Sequence, residues 1–133
     1  MNHHLGTIVL LVSALFCLMT TLSSGVHPED FGRRLGFKIA DADGCNEIRA
    51  QYSGFFLAVS AVCGASLLGL LPRPATFLVL CVVFGGLIAG RLASLVIDRG
   101  PHRYGAAVRA LYAIDSIGFV LAIVALIGDN GRL

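Results

Sequence analysis

Arg91 and Asp115 are the residues whose type and setting could do chemistry, because each is a charged side chain inside a long apolar stretch. Ser94 and Asp98 follow Arg91 at helical spacing and therefore share its face of a helix. A guanidinium group can bind a carboxylate through two hydrogen bonds, hold an anion or border a proton path. The sequence therefore predicts that Arg91 faces its neighbouring helices and pairs with an acid such as Asp115.

A second polar group, formed by Glu47, Arg49 and Gln51, stands at the start of another apolar stretch. A charge at the centre of a membrane helix costs about 2.5–3.5 kcal/mol on insertion scales, so charged residues there usually have partners. Glu47 is thus a second candidate partner for Arg91. The predicted intramembrane polar cluster comprises Glu47, Arg49, Gln51, Arg91, Ser94, Asp98 and Asp115.

This polar cluster has three interpretations. The Arg91–acid pair fixes helix register without chemistry, or it forms a site for a substrate, a lipid headgroup or a proton. In the third, Arg91 snorkels along its helix while Glu47 and Arg49 lie at the headgroup boundary.

Sequence motifs for catalysis or metal binding are absent from the chain. Residues 41–44 suggest the start of a calcium loop, but the Gly and Glu that an EF-hand needs further on are missing. The four histidines form no metal-ligand spacing, and the four cysteines contain no C-x-x-C pair. We therefore predict free thiols, no catalytic residue, no metal and no cofactor, and we favour a protein that is not an enzyme.

Four apolar runs must position these polar residues. The chain of 133 residues is 56% hydrophobic and only 14% charged, which is too apolar for a small soluble domain. Each run is close to or above the roughly 18–20 residues that span a hydrocarbon core, and a helix satisfies its own backbone there. The sequence predicts one all-α domain over residues 1–133, a four-helix transmembrane bundle with spans at about residues 5–22, 48–71, 75–97 and 106–127.

The longest connection, between spans one and two, contains a second helix signal. Pro28 is followed by two acids, and Phe31, Leu35 and Ile39 then recur every four residues with basic residues elsewhere on the wheel. This pattern predicts a short amphipathic helix on the membrane surface, with an ordinary solvated loop as the alternative. The first span is predicted to be retained, although small residues after it also fit a signal-peptide cleavage site.

Basic residues predict the orientation of the chain. The positive-inside rule places the two odd loops in the cytoplasm and both termini outside, in a bacterial cytoplasmic (inner) membrane. The odd loops and adjoining helix ends carry Arg33, Arg34, Lys38, Arg49, Arg99, Arg103 and Arg109, whereas the other side carries Arg73 and Arg132. The net charge of +2 gives no argument for nucleic acid.

Small residues predict where helices approach each other. Gly85, Gly86 and Gly90 lie together on the third span, and Gly86 and Gly90 have the spacing that allows close contact between membrane helices. Gly54 starts a comparable surface on the second span, which is the expected partner. We expect packing within the chain, with a homo-oligomer contact as the alternative.

Two motifs of the chain resemble a known family. They are residues 46–54 (NEIRAQYSG) and residues 84–91 (FGGLIAGR), the second continuing to Ser94, Asp98, Gly100 and Pro101. These motifs are similar to those of the bacterial four-helix membrane proteins known as domain of unknown function number four-three-four-five. The family pattern has Gly in place of Ser53 and often Glu near Asp115. The resemblance implies the four-span layout and brings no activity with it.

Three functions fit these observations. The first is a non-enzymatic structural, accessory or lipid-interacting membrane protein, with the lipid bilayer as its partner and a larger membrane complex or a homo-oligomer as further partners. The second is an oligomeric carrier or channel for a small solute or proton, with Arg91 and Asp115 lining the path. The third, a membrane enzyme acting on a lipid or quinone, lacks a visible nucleophile.

Overall fold

The computed structural model describes residues 2–97 and 104–130, and all regular structure in these ranges is helical. Four helices are long, and three shorter helical segments lie between the first and the second of them. The elements are α1 (Asn2–Val26), α2 (Pro28–Arg34), α3 (Ala42–Ile48), a π-helical segment (Arg49–Gly54), α4 (Phe55–Leu67), α5 (Arg73–Ile97) and α6 (Ala106–Asn130).

Four stretches are long and apolar enough to cross a bilayer. They are His4–Val26, Ala42–Leu67, Arg73–Ile97 and Ala106–Asp129. Only 11–33% of each hydropathy window is buried inside the protein, so large apolar side chains such as Met19 and Val82 point outward. A water-facing surface of this composition would be strongly unfavourable. The predicted fold class, all-α with four membrane-length helices and a short helix between the first two, is confirmed.

The second long helical stretch starts earlier and ends earlier than the predicted span of residues 48–71. It starts at Ala42 because the side chain of Asp41 accepts a hydrogen bond from the Gly44 N–H, at 2.9 Å, and caps the first turn. It ends at Leu67 because Gly69, at φ +75°, adopts the left-handed conformation that closes a helix. The Leu70 N–H then bonds the Ala65 carbonyl at 2.8 Å.

Two compact units divide the chain. We call Met1–Val9 with Pro72–Leu133 the hairpin unit and Leu10–Leu71 the α1–α4 unit. The prediction of one domain over the whole chain stays a prediction.

In the hairpin unit, α5 and α6 are locked together by two phenylalanine rings. The ring of Phe84 lies against Gly118, where an added Cβ would be only 2.8–2.9 Å from three ring atoms. In the opposite direction, the ring of Phe119 lies against Gly85, at 3.1 Å from an added Cβ. The two glycines therefore admit the two rings, and this interlock sets the register of the antiparallel pair.

In the α1–α4 unit, hydroxyl groups join α1 to the π-helical segment and to α4. Ser53 and Thr21 donate to each other's backbone carbonyls, at 3.0 and 3.2 Å. Ser60 donates to the Ala14 carbonyl at 2.9 Å, two turns further along the pair. Gly25 allows the close approach, because a Cβ there would lie 2.8 Å from the Ser53 Oγ.

The connection between α1 and α3 is more compact than its apolar pattern suggests. α2 ends at Arg34 because Gly36, at φ +88°, closes the helix and turns the chain back. Leu35 therefore caps the helix instead of extending it. Ile39 lies beyond the helix and packs against Gly32 and Gly44, where added Cβ atoms would clash with its side chain.

Candidate functional site

Arg91 and Asp115 form an ion pair between α5 and α6. The Arg91 Nε donates to the Asp115 Oδ2 at 2.6 Å, and the Asp115 side chain is 3% exposed against 21% for Arg91. Arg91 lies six residues before the end of α5, about 9 Å along the helix axis. The structure thus brings together the two charged residues that the sequence singled out in these spans.

Tyr112 completes this pair from the α6 side. It lies one turn before Asp115, and its hydroxyl donates to the backbone carbonyl of Arg91 at 2.9 Å. Its ring also lies under the guanidinium, with the Arg91 Cζ 5.4 Å from the ring centroid. Sequence reasoning missed Tyr112, although its position three residues before Asp115 puts both on one helix face.

A second tyrosine extends the aromatic surface next to the pair. The ring centroids of Tyr104 and Tyr112 are 5.9 Å apart, and the planes are tilted by 40°. Ser116 donates to the Tyr112 carbonyl at 2.8 Å, within its own helix. Ser94 is half-buried one turn after Arg91, whereas Asp98 lies outside the described residues.

The predicted members on the second span belong to the α1–α4 unit. Glu47, Arg49 and Gln51 are all exposed there. The Arg49 Nε donates to the Gly25 carbonyl at 3.1 Å and so satisfies a backbone group in the last turn of α1. The predicted contact of Glu47 with Arg91 stays a prediction.

Arg49 and Gln51 also belong to the π-helical segment, which the sequence did not predict. At its end, the Phe55 N–H reaches the Ala50 carbonyl, five residues back. Single π-helical turns inside α-helices often occur at functional sites. Here the wider turn leads from Arg49, bonded to Gly25, to Ser53, bonded to Thr21.

The glycines predicted as packing positions were expected to meet across spans two and three, and this contact stays a prediction. Gly86 and Gly90 are exposed, and a Cβ added to either meets no heavy atom within 4 Å in the described part of the hairpin unit. Gly85, one residue before Gly86, makes a close contact with the Phe119 ring of α6. Gly54 is exposed as well, and a Cβ there would touch only the Arg49 carbonyl, at 3.6 Å. Gly85 therefore packs against α6 within the hairpin unit, and the homo-oligomer alternative for Gly86 and Gly90 stays a prediction.

The chemistry of the pair follows from its donors and acceptors. The pair is electrically neutral while Asp115 is ionised, and it can bind an anion or pass a proton only if the Nε–Oδ2 bond loosens. Among residues 2–97 and 104–130, no three His, Cys, Asp or Glu side chains are grouped to hold a metal ion.

Comparisons with known proteins identify the family. No curated protein and no solved structure matches the chain. A family model described as "Domain of unknown function (DUF4345)" matches residues 5–126, which include all four long helices except the first three residues of α1 and the last four of α6. The chain therefore belongs to the DUF4345 family.

Proposed function

We propose that this chain is a non-enzymatic integral membrane protein, a structural, accessory or lipid-interacting component. In this proposal the Arg91–Asp115 pair fixes α5 against α6 and performs no chemistry. The main support for this proposal is the burial of Asp115. Its side chain is 3% exposed and accepts a hydrogen bond from the Arg91 Nε. A carboxylate that is both buried and bonded to an arginine is poorly placed to exchange a proton or meet a substrate.

Several contacts support a structural role for the pair. Tyr112 binds both the backbone carbonyl and the guanidinium of Arg91, so the arginine is held at two points. The contact of Phe84 with Gly118 lies two turns before Arg91 on α5 and less than one turn after Asp115 on α6. Both contacts specify one rotation and one register of α6 on α5.

The outward-facing apolar side chains support a place in the bilayer. Leu, Ile and Val residues of all four long helices are exposed, among them Leu15, Leu57, Val82 and Ile117. Lipid would cover this surface at no cost, and each helix satisfies its own backbone. The basic residues favour the bacterial cytoplasmic membrane with both odd loops in the cytoplasm, and Arg33, Arg34 and Lys38 are exposed for that role.

One observation favours the second candidate, an oligomeric carrier or channel for a small solute or proton. The Arg91 side chain keeps 21% of its surface exposed, so it is not sealed in the protein. If Arg91 and Asp115 line a path, replacing either should abolish flux. If they only hold the helices, both can be replaced together without loss.

Single and paired substitutions at Arg91 and Asp115 test the structural role. Arg91→Gln and Asp115→Asn should each lower the free energy of unfolding by about 1–3 kcal/mol, because the first leaves the buried Asp115 carboxylate without its arginine and the second leaves the half-buried Arg91 without its carboxylate. Arg91→Met combined with Asp115→Leu should recover most of the loss, since apolar replacement of a buried pair is often neutral. Arg109→Gln, at an exposed arginine of α6, is the matched control and should change little.

Flux in reconstituted vesicles separates the two candidates. Purified chain is placed in vesicles that contain a pH-sensitive dye, and a proton gradient is imposed. We expect the same slow leak from wild type, Arg91→Gln and protein-free vesicles. A leak that appears with wild type and disappears with Arg91→Gln would overturn the structural proposal.

Isolation of the chain in a gentle detergent tests the accessory role. If the chain is an accessory subunit, a partner protein should be isolated with it in a constant ratio.

A further inference from the structure

An open apolar crevice lies at the end of the hairpin unit opposite the Arg91–Asp115 pair. Its volume is about 290 Å³, near the lower end of the range for small-molecule sites. The first turns of α1 and the last turns of α6 form its walls. The lining residues are Leu5, Val124, Ala125, Ile127 and Gly128.

Arg73 lies at the same end of the hairpin unit. Phe84 faces Gly118 on the antiparallel helices, and continuing this register puts Gly128 level with the first turn of α5, where Arg73 is located. The α1 side agrees, because an added Cβ on Gly6, next to Leu5, would be 3.7 Å from the Arg73 Nη1. The apolar crevice and the cationic guanidinium therefore lie at the same end of the hairpin unit.

Thr7 holds the guanidinium in place. The Arg73 Nη2 donates to the Thr7 Oγ1 at 3.0 Å. This bond aims the side chain toward the N-terminal turns of α1. An arginine fixed at the end of a span lies at the depth of lipid headgroups, where its fork matches a phosphate.

We propose that the crevice binds one acyl chain of an anionic phospholipid whose phosphate is bound by Arg73. The apolar lining accepts the chain, and the cation at its mouth selects the charged headgroup. This inference rests on the proposed place of the protein in a bilayer, but not on the role of Arg91 and Asp115. It assigns a binding site to the crevice of the hairpin unit.

Asp129 allows a second test, because its charge is opposite to that of Arg73. This half-buried carboxylate follows Gly128 at the end of α6 and carries the opposite charge to Arg73. It should weaken the binding of an anionic headgroup at this end. Neutralising Arg73 and neutralising Asp129 should therefore change lipid selectivity in opposite directions.

Tryptophan quenching by brominated lipid measures this selectivity, since the chain contains no tryptophan. Leu121→Trp places a reporter one turn before the crevice residues Val124 and Ala125. Val82→Trp, at about the same level on α5 and outside the crevice lining, is the matched control. The full chain is reconstituted in phosphatidylcholine vesicles that contain brominated phosphatidylglycerol or, separately, brominated phosphatidylcholine.

At Leu121→Trp, we expect brominated phosphatidylglycerol to quench the tryptophan several-fold more strongly than brominated phosphatidylcholine. At Val82→Trp, the two lipids should quench equally. Arg73→Gln should remove the preference, Arg73→Lys should keep part of it, and Asp129→Asn should raise it. Added salt should reduce the preference for phosphatidylglycerol in the Leu121→Trp chain that has no other substitution. Equal quenching by the two lipids at both reporters would overturn the lipid site while leaving the bilayer location intact. Absence of quenching by either lipid would overturn both.

Discussion

Tyr112 contacts Arg91 in two ways. Its hydroxyl donates a hydrogen bond of 2.9 Å to the Arg91 backbone carbonyl, and its ring centroid lies 5.4 Å from the Arg91 Cζ. The Arg91 Nε meets Asp115 one turn further along the same face of α6. One residue of α5 is thus held by two residues of α6, through its main chain and its side chain at once. Rotation of either helix would break several contacts together.

The first prediction separates the two contacts of Tyr112. Tyr112→Phe removes the hydroxyl bond and should lower the free energy of unfolding by about 0.5–1.5 kcal/mol. Tyr112→Leu also removes the ring under Arg91 and should cost about 0.5–2 kcal/mol more. Helicity followed during denaturation in mixed detergent micelles measures both. Equal losses for the two variants would show that the ring adds nothing to the hold on Arg91.

The second prediction concerns the Phe84–Gly118 contact. Gly118→Ala puts a methyl group 2.8–2.9 Å from three atoms of a buried ring and should cost about 1–3 kcal/mol. Phe84→Leu in the same chain should restore part of this loss. Gly86→Ala is the matched control, because its methyl group meets open space. It should leave the free energy of unfolding unchanged or raise it slightly. A larger loss at Gly86 would instead favour a contact with a second copy of the chain.

A third prediction tests the approach of α1 to the π-helical segment. Gly25→Ala places a methyl group 2.8 Å from the Ser53 Oγ and should disrupt the bond from that hydroxyl to the Thr21 carbonyl. The expected cost is about 1 kcal/mol, the usual net value of one hydrogen bond. Ser53→Gly in the same chain should relieve the clash, and Gly64→Ala, which meets no neighbour, is the control. Amide exchange in the last turns of α1 should rise only in Gly25→Ala.

The fourth prediction tests the orientation. With Cys45→Ser as the parent, Lys38→Cys places a thiol at an exposed site of the first loop, and Leu70→Cys places one between α4 and α5. A membrane-impermeant maleimide should label Leu70→Cys in intact cells and Lys38→Cys only after the membrane is opened. The reverse pattern would show that the odd loops face outward.

The sequence predicted the helices well, because the length and composition of an apolar run decide whether it can cross a bilayer. The cost of a buried charge likewise selected Arg91 and Asp115. The rotation of each helix was not predictable in the same way. Neighbouring positions differ by about 100° around a helix, so the pattern could not decide between Gly85 and Gly86. The structure uses Gly85 against Phe119.

Local turn chemistry explains the remaining differences. The pattern of Phe31, Leu35 and Ile39 predicted one continuous amphipathic helix, but Gly36 closes it and Ile39 packs from outside. Gly69 likewise ends α4 before the apolar run does. A positive φ at a single glycine overrides the hydrophobic period, and the period alone does not reveal it. Tyr112 was missed because its polar atom is one hydroxyl group on an otherwise apolar ring.

The wide turn at Arg49–Gly54 has a consequence for comparing this chain with others of its family. A bond that closes over five residues encloses one more residue than the ordinary helical bond. A relative with a regular turn there should carry one residue fewer between the positions of Arg49 and Ser53. In an alignment, the gap in such a relative should be placed within residues 49–53. A gap placed elsewhere would pair the wrong residues between this turn and the gap.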